Sequence, residues 1–386
     1  MRIDMLSWEF PPRIVGGIAR HCYGLARSLV KMGHEVRMIT LEFPGSPDFE
    51  YVDGVAVHRV RIELGHPDFL TWVLLFNHFM EKYAARLNAG TRSDVIHAHD
   101  WLVSAASISM KHFLGRPLVF TVHSTEVGRS RGLKGANSYT IDGLEWWSTF
   151  EASRVIVTSE SMRREVVEHF RLPPGKVHKI PNGVDVEKFN LEFDRESFRS
   201  RYVSSGERIV LFVGRLTPQK GVEYLIKALP IILQSHPEVK LVIVGDGWMS
   251  DDLKSLARST GRPEKIYFTG FLPEQDLIKT LLSADVLVVP SVYEPFGIVA
   301  LEGMAAGIPV VASNVDGLSE VVHHGRNGVL TYPADPKSIA WGVDRILSDR
   351  DYAKRLVENA KREVFRKYSW DAIARETIKV YEEVCM

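Results

Sequence analysis

The feature that most constrains the fold is the regular alternation of short apolar runs with longer amphipathic runs along nearly the whole chain. Short apolar runs that alternate with helical patterns are typical of parallel β-sheets whose faces are covered by helices. The alternation forms two successive series, and the second begins at Arg208–Val213. A chain of 386 residues is long enough for two such domains.

The predicted strands are short, apolar and bounded by turn residues. In the first series they are Arg2–Leu6, Glu35–Thr40, Val55–Val60, Val95–Ala98, Leu118–Val122, Arg154–Ser159 and Val177–Ile180. In the second series they are Arg208–Val213, Val239–Val244, Lys265–Phe268, Asp285–Val289, Pro309–Ala312 and Gly328–Thr331. We therefore predict an α/β fold of two doubly wound, Rossmann-like domains.

The two series join near Pro181-Asn-Gly-Val-Asp185, where Pro and Asn-Gly are turn-forming residues. After Ala334 the pattern is helical to Met386, and Ser369 is a candidate N-cap of the closing helix. This helix has an apolar face that either domain would cover.

Composition excludes several classes of protein. Forty-eight basic and 48 acidic residues balance, so no net field favours a nucleic-acid partner. Only Cys22 and Cys385 occur, which fits a reducing cytoplasm better than a disulfide scaffold. No signal peptide is visible, and the longest apolar stretch, Phe69–Phe76, is far shorter than the roughly 20 residues of a membrane-spanning helix. We expect at most peripheral membrane contact, through the basic stretch Arg163–Arg171.

Two cations follow the first strand of the second series, in Gly214-Arg-Leu-Thr-Pro-Gln-Lys-Gly221. Arg215 falls at the carboxyl end of the strand, where open α/β sheets bind ligands. Lys220 lies near the next helix start, where a cation is unfavourable unless an anion is close. A planar guanidinium and a compact ammonium together suit a diphosphate.

Two carboxylates, Glu294 and Glu302, flank the start of a predicted helix from Ile298 to Ala306. Glu294 lies ahead of this helix and Glu302 in its second turn, so they can contact different points of one elongated ligand. Carboxylates accept hydrogen bonds from vicinal hydroxyls. Between them, Pro295-Phe296-Gly297 and Ile298 would direct backbone N–H groups at an anion.

Two glycine-containing turns are further candidates for ligand contact. Gly16 and Gly17 follow the first strand and open a helix, which allows close approach of a phosphate to the backbone. Val244-Gly-Asp-Gly-Trp-Met-Ser250 imitates a dinucleotide-binding fingerprint, but Ser250 stands where the third glycine is expected. This departure disfavours an oxidoreductase.

Asp100 and His123 each end a predicted strand, in His97-Ala-His-Asp-Trp101 and Thr121-Val-His-Ser-Thr-Glu126. His97 and His99 are expected to be structural. No cysteine or further matching ligand cluster accompanies them, so we predict no metal site.

Two other patterns favour structural roles. Trp146-Trp147 is expected to lie in the core, because paired tryptophans of an amphipathic helix are more often buried than free to stack on sugars. Asp349-Arg-Asp351 matches the Asp-x-Asp of metal-dependent glycosyltransferases but is expected to be the start of a helix.

These motifs make the chain similar to the retaining glycosyltransferases of family 4, which have the two-domain GT-B fold with a central cleft. The resemblance extends from Ser7-Trp-Glu-Phe-Pro-Pro12 to Ser369-Trp-Asp371. It implies that the closing helix returns to the first domain, giving an acceptor-side domain of residues 1–182 plus 371–386 and a donor-binding domain of residues 183–370.

The resemblance also implies roles for the candidate residues. Glu294 would lie near the transferred hexose, Glu302 would hold the ribose, and Arg215 and Lys220 would neutralise the diphosphate. Asp100 and His123 would face the hexose and the reacting centre, and Gly245 the nucleoside. No metal and no cofactor is implied, because the nucleoside diphosphate sugar is itself a substrate.

Glucan-synthase-like members carry the most similar first-half motifs, which favours transfer of glucose from ADP- or UDP-glucose to an α-glucan. Glycogen and starch synthases of the related family 5 usually have a lysine where Arg13 stands, and this substitution preserves the charge. The alternatives are a mannosyl- or other hexosyltransferase of glycolipid or polysaccharide synthesis and, less favoured, a sugar-nucleotide epimerase.

Overall fold

A computed structural model describes all residues from Met1 to Met386. The chain divides into two compact units: Met1–Gly183 with Trp370–Met386 form the first, and Val184–Ser369 form the second. Each boundary lies one residue from the position expected from the sequence. The closing helix belongs to the first unit, as the resemblance implied.

The first unit contains an eight-stranded sheet with the order β3-β4-β2-β1-β5-β6-β7-β8. Its strands are β1 (Arg2–Leu6), β2 (Glu35–Leu41), β3 (Phe49–Val52), β4 (Val55–Val60), β5 (Val95–His99), β6 (Leu118–Val122), β7 (Arg154–Val157) and β8 (Val177–Lys179). All neighbouring pairs are parallel except β3 with β4. The sequence did not predict β3, a short edge strand that forms a hairpin.

The second unit contains a six-stranded parallel sheet with the order β11-β10-β9-β12-β13-β14. Its strands are β9 (Arg208–Val213), β10 (Val239–Val244), β11 (Ile266–Gly270), β12 (Val286–Val289), β13 (Val310–Ser313) and β14 (Val329–Thr331). Alternate residues of β9 enter different cores: Ile209 and Leu211 pack on one face of the sheet, and Val210 and Phe212 on the other. Both faces are therefore covered, as a parallel sheet requires.

Fifteen α-helices cover the two sheets. In the first unit they are α1 (Gly17–Lys31), α2 (Phe69–Gly90), α3 (Ser104–Leu114), α4 (Glu126–Arg129), α5 (Gly135–Glu151), α6 (Glu160–Phe170) and, at the end of the chain, α15 (Trp370–Cys385). In the second unit they are α7 (Arg195–Arg199), α8 (Val222–Ser235), α9 (Ser250–Ser259), α10 (Glu274–Ser283), α11 (Ile298–Ala306), α12 (Leu318–Val321), α13 (Pro336–Ser348) and α14 (Arg350–Lys367). No helix combines the length and the apolar character that crossing a bilayer requires.

Side chains explain where α14 begins and how α15 is attached to the first unit. Asp349 caps α14 by accepting a hydrogen bond from the Tyr352 amide, so this aspartate has the helix-start role expected for it. In α15, Trp370 packs closely on Gly24 of α1, where a methyl group would overlap the indole ring. The Asp371 carboxylate also accepts hydrogen bonds from Ser28 Oγ and Lys31 Nζ of α1.

The prediction for the tryptophan pair of α5 is wrong. Trp146 and Trp147 are 46% and 38% exposed. The helix instead buries Ser138, Glu145, Ser148 and Thr149. Glu145 is held there by Arg129 at 2.7 Å and by the Glu126 amide at 2.8 Å, so hydrogen bonds, as well as the packing of Ile141 and Leu144, hold this helix.

Candidate functional site

The sheet order of the second unit places the two candidate loops side by side. From the central strand β9 the chain moves to β10 on one side, and it later returns to β12 on the other side. In such a sheet, ligands bind at the carboxyl ends of the strands where the direction of winding reverses. The loop with Arg215 and Lys220 follows β9, and the loop with Glu294 follows β12.

Backbone contacts hold these two loops together. The Val292 amide donates to the Gln219 carbonyl at 2.8 Å. Gly221 has a φ of +63°, and a Cβ there would lie 2.1 Å from the Pro290 carbonyl oxygen. Glycine is thus required both for the left-handed turn and for the close approach.

Lys220 and Glu294 form an ion pair, with 2.6 Å between Nζ and Oε2. Ser291 Oγ donates to the same carboxylate oxygen at 2.9 Å. Arg215, by contrast, is exposed and lies within 4 Å of no carboxylate. From the sequence, both cations were expected to contact a diphosphate and both acids to contact hydroxyls. In the structure Lys220 is instead paired with Glu294, and the Arg215 guanidinium is available for a ligand.

The loop that carries Glu294 is fixed by a third acid. The Glu294 amide donates to Asp316 Oδ2 at 3.0 Å. Asp316 has a φ of +37° and is half-buried. Burial, and secondarily the neighbouring Glu294 carboxylate, raises the pKa of Asp316. Nothing in the local sequence marks Asp316 as part of the site.

Phe296, Gly297 and Ile298 lead into α11. The Phe296 side chain is buried against Tyr368, so only its backbone could contact a ligand. Gly297 caps the helix with a φ of +99°, and a Cβ there would lie 2.6 Å from Leu318 Cδ1. The first amide groups of an α-helix have no partner within the helix, and they carry its positive end.

Glu302 lies one turn into α11 and is 2% exposed. Its Oε1 is 2.9 Å from Lys188 Nζ, and the same ammonium lies 5.1 Å from the centre of the Phe189 ring. No motif in the sequence marks Lys188. The second acid therefore also has a lysine partner, 114 residues away in the chain.

Gly245 follows β10 and contacts the loop after β9. Its φ is +125°, and a Cβ there would lie 2.0 Å from the Gly214 carbonyl oxygen. The Leu216 amide donates to the Asp246 carbonyl at 2.9 Å, which joins the turns further. Gly245 thus supports the segment that carries Arg215.

The first unit has its own reversal of winding, between β1 and β5. After β1, Gly16 is the N-cap of α1 and Gly17 its first residue. The Glu9 carboxylate already accepts hydrogen bonds from the Val15 and Gly16 amides, at 2.6 and 3.0 Å. The predicted phosphate contact at Gly16 and Gly17 must therefore compete with an internal acid.

Asp100 and His123 follow the neighbouring strands β5 and β6. Asp100 is buried, has a φ of +65°, and donates its amide to the Thr121 carbonyl at 3.0 Å. His123 is partly exposed, and its Nε2 lies 3.3 Å from His99 Nδ1. His97 has the structural role expected for it, bonded to Tyr381 and Thr121.

His21 of α1 joins this group of imidazoles. Its ring centre lies 4.7 Å from that of His123 and 5.1 Å from that of His99. Its Nδ1 lies 2.6 Å from Asn182 Oδ1. Burial lowers the pKa of His21 to about 4, and burial likewise lowers the pKa values of His97, His99 and His123. All four rings are therefore neutral near pH 7.

Two Rossmann-like units of this kind define the GT-B class of glycosyltransferases. Residues 15–188 match the model for Glycosyltransferase Family 4, and residues 194–363 match the model for Glycosyl transferases group 1. The chain belongs to this group 1, family 4 type of glycosyltransferase.

Three relatives illustrate the similarity. An uncharacterised glycosyltransferase of Methanocaldococcus jannaschii is 48% identical over 99% of this chain and 98% of the relative. Glycogen synthase of Mycobacterium tuberculosis is 36% identical over 99% of this chain and 94% of the relative. The structure of sucrose-phosphate synthase from Thermosynechococcus elongatus superposes with a TM-score of 0.84 at 26% identity, covering 99% and 98% of the two chains.

Proposed function

We propose that the protein is a retaining, metal-independent hexosyltransferase that moves glucose from ADP- or UDP-glucose to a hydroxyl of an α-glucan. The observation that carries the proposal is the group of charges on the adjacent loops after β9 and β12. An available Arg215, a Lys220 poised on Glu294, and the amide end of α11 all lie at the ligand-binding edge of one sheet.

Each of these groups has a defined part in the proposed reaction. Negative charge grows on the diphosphate as the bond to the sugar breaks, and preorganised donors that meet this charge lower the barrier. Arg215 would contribute a planar pair of donors and Lys220 a compact charge. Glu294 holds the Lys220 ammonium in place until the donor arrives, and then turns its oxygens to the hexose.

Glu302 suits a different part of the donor. It is buried and held by Lys188, so its carboxylate has a fixed orientation. Two oxygens held in this way can accept hydrogen bonds from the two vicinal ribose hydroxyls. His123 and Asp100 stay predictions for the hexose, since they lie in the first unit.

The acceptor is proposed from the resemblance to glycogen synthase, 36% identical to this chain. A mannosyl- or other hexosyltransferase is the alternative, because the roles proposed for Arg215, Lys220 and Glu302 concern the diphosphate and the ribose, which donors of different hexoses share. The cytoplasmic location also stays a prediction, based on the two free thiols.

The test is a transfer assay with purified full-length chain, excess chelator, and labelled ADP-, UDP- and GDP-sugars. Glycogen, small glucosides and a lipid extract serve as acceptors. We expect label in glycogen from a glucose donor, with the α configuration kept when the product is analysed by NMR. Label in the lipid phase would favour the glycolipid alternative. A changed sugar without any acceptor would favour the epimerase, and inverted configuration would refute the retaining mechanism.

A further inference from the structure

Three histidines of the first unit converge although they come from distant parts of the chain. His21 lies on α1, His99 ends β5, and His123 follows β6. One nitrogen of each ring lies within 4.8 Å of a nitrogen of both others. Three imidazoles with one open side are a ligand set that zinc uses in proteins.

The protonation of His21 is set by its neighbour. Asn182 Oδ1 can only accept, so His21 Nδ1 carries the proton and donates to it at 2.6 Å. The other nitrogen, Nε2, then holds a lone pair. This atom is buried and has no hydrogen-bond partner, although the residue is only 2% exposed. A hydrogen bond from the second nitrogen to a side-chain or backbone oxygen is how metal-bound histidines are usually oriented.

The spacing of the other two rings also fits a metal. Tetrahedral zinc with Zn–N bonds of about 2.0–2.1 Å places its ligand nitrogens about 3.3 Å apart. His99 Nδ1 and His123 Nε2 are 3.3 Å apart. His99 is fully buried, whereas His123 is partly exposed and leaves access from solvent.

We propose that His21, His99 and His123 form a binding site for a divalent transition metal, with zinc the preferred ion and one coordination position open. The sequence predicted no metal because the adjacent pair His97 and His99 lacked further ligands. In the structure His97 is bonded to Thr121 and Tyr381 and is not part of the candidate site. The histidines that lie close to His99 are His21 and His123, which come from elsewhere in the chain.

The site has a consequence for activity that rests on the proposed function. His123 is predicted to contact the donor hexose, and a ring bound to zinc cannot make that contact. Zinc would therefore inhibit transfer reversibly, while the transfer itself needs no metal. The site is thus a place where metal controls the enzyme rather than part of its chemistry.

Metal binding is tested without any sugar substrate. Cobalt(II) is titrated into chelator-treated full-length chain that carries Cys385→Ser, because Cys385 is exposed and could bind cobalt itself. We expect the visible absorption of tetrahedral cobalt at one ion per chain, and its loss when zinc is added. His21→Gln and His99→Gln should each weaken binding 10- to 100-fold or more, whereas His66→Gln, at an exposed position, should not.

Thermal unfolding separates lost binding from lost folding. Zinc should raise the melting temperature of the Cys385→Ser parent and of His66→Gln, because it binds only the folded state. The two site variants should melt cooperatively without metal and show no rise with zinc. Absent cobalt absorption in the parent, or unchanged affinity in folded His21→Gln, would overturn the proposed site.

A transfer assay then addresses inhibition separately. Zinc should abolish transfer by the parent, and a chelator should restore it. The activity of His21→Gln, whatever its level, should be at least tenfold less sensitive to zinc. Zinc binding that leaves transfer intact would uphold the metal site and overturn the placement of His123 at the hexose, so the two hypotheses fail in different ways.

Discussion

In both units the candidate site lies at the carboxyl ends of the strands where the winding reverses, but the side chains at the two sites differ in charge. In the second unit the candidate acids are held by lysines: Lys220 with Glu294, and Lys188 with Glu302. In the first unit the histidines at the equivalent edge are neutral imidazoles packed against one another, and the carboxylates there, Glu9 and Asp100, are buried. This difference agrees with the proposal that the second unit meets the charge of a diphosphate and the first contacts an uncharged or weakly charged group.

The largest effect is expected from Lys220→Ala. It removes an ammonium that would meet the charge on the departing diphosphate, so kcat should fall about 10²- to 10³-fold. Lys220→Arg should recover part of this loss. Lys227→Ala, on the exposed side of the following helix, is the matched control and should be unaffected. Near-normal kcat in Lys220→Ala would remove this residue from the proposed mechanism.

Lys188→Met should show that the second pair supports both stability and donor binding. The buried Glu302 carboxylate would lose its ammonium, which costs about 3 kcal/mol, the lower end for a buried ion pair. Denaturant unfolding should show that loss, and the KM for the donor should rise while kcat changes little. The double variant with Glu302→Gln should regain most of the stability but not the KM, and a double variant with normal KM would contradict the ribose role.

Acid should affect the first unit more than the second. Because burial lowers the pKa of His21 to about 4, its folded-state pKa lies below that of the unfolded chain. Its contribution to stability is therefore complete above about pH 6.5 and is lost as the pH falls towards 4. The titration of His21 alone should lower the free energy of unfolding by about 2 kcal/mol at pH 5, and His97, His99 and His123 act in the same direction.

Unfolding of chelator-treated protein between pH 7 and pH 5 measures this loss. Fluorescence is a suitable probe, since Trp8, Trp72, Trp101, Trp146, Trp147 and Trp370 lie in the first unit and only Trp248 and Trp341 in the second. His21→Gln should give a shallower pH dependence. An unchanged slope would mean that this imidazole is not held neutral.

The smallest effect is expected from Asp371→Asn. Lys31, and secondarily Ser28, lowers the pKa of Asp371, so this contact stabilises the first unit above about pH 4 and is lost in acid. The pair is largely exposed, and its loss should cost only about 0.5 kcal/mol at pH 7. Chemical denaturation compares the variant with the parent, and a loss comparable to that of Lys188→Met would contradict the contrast between site and surface pairs.

Much of the fold was predictable because the strands are continuous apolar runs with clear ends. Helix α11 was predicted with its observed bounds, Ile298–Ala306, since Gly297 and Gly307 delimit it. Strand β3 was missed because it is short, exposed and antiparallel. The tryptophans of α5 were placed wrongly because a buried ion pair, invisible in the local pattern, helps to hold the helix.

The site was predictable as a list of residues but not as a set of contacts. Arg215, Lys220 and Glu294 were predicted because each follows a recognisable strand, whereas the adjacency of β9 and β12 appears only in the sheet order. Lys188, Asp316 and His21 act through partners far away in the chain, and no local spacing marks them. Spacing within one segment predicts which side chains a loop carries. Contacts between side chains of distant segments depend on how the whole chain folds.

The proposed function depends above all on Arg215 and Lys220 of the second unit holding a diphosphate. Calorimetry of ADP and AMP, or of UDP and UMP, with chelator-treated chain tests it directly. The parent should bind the diphosphate at least tenfold more tightly than the monophosphate, and Arg215→Ala and Lys220→Ala should each lose most of this preference while binding the monophosphate nearly as before. A preference that survives in both variants would show that these two cations do not hold the diphosphate.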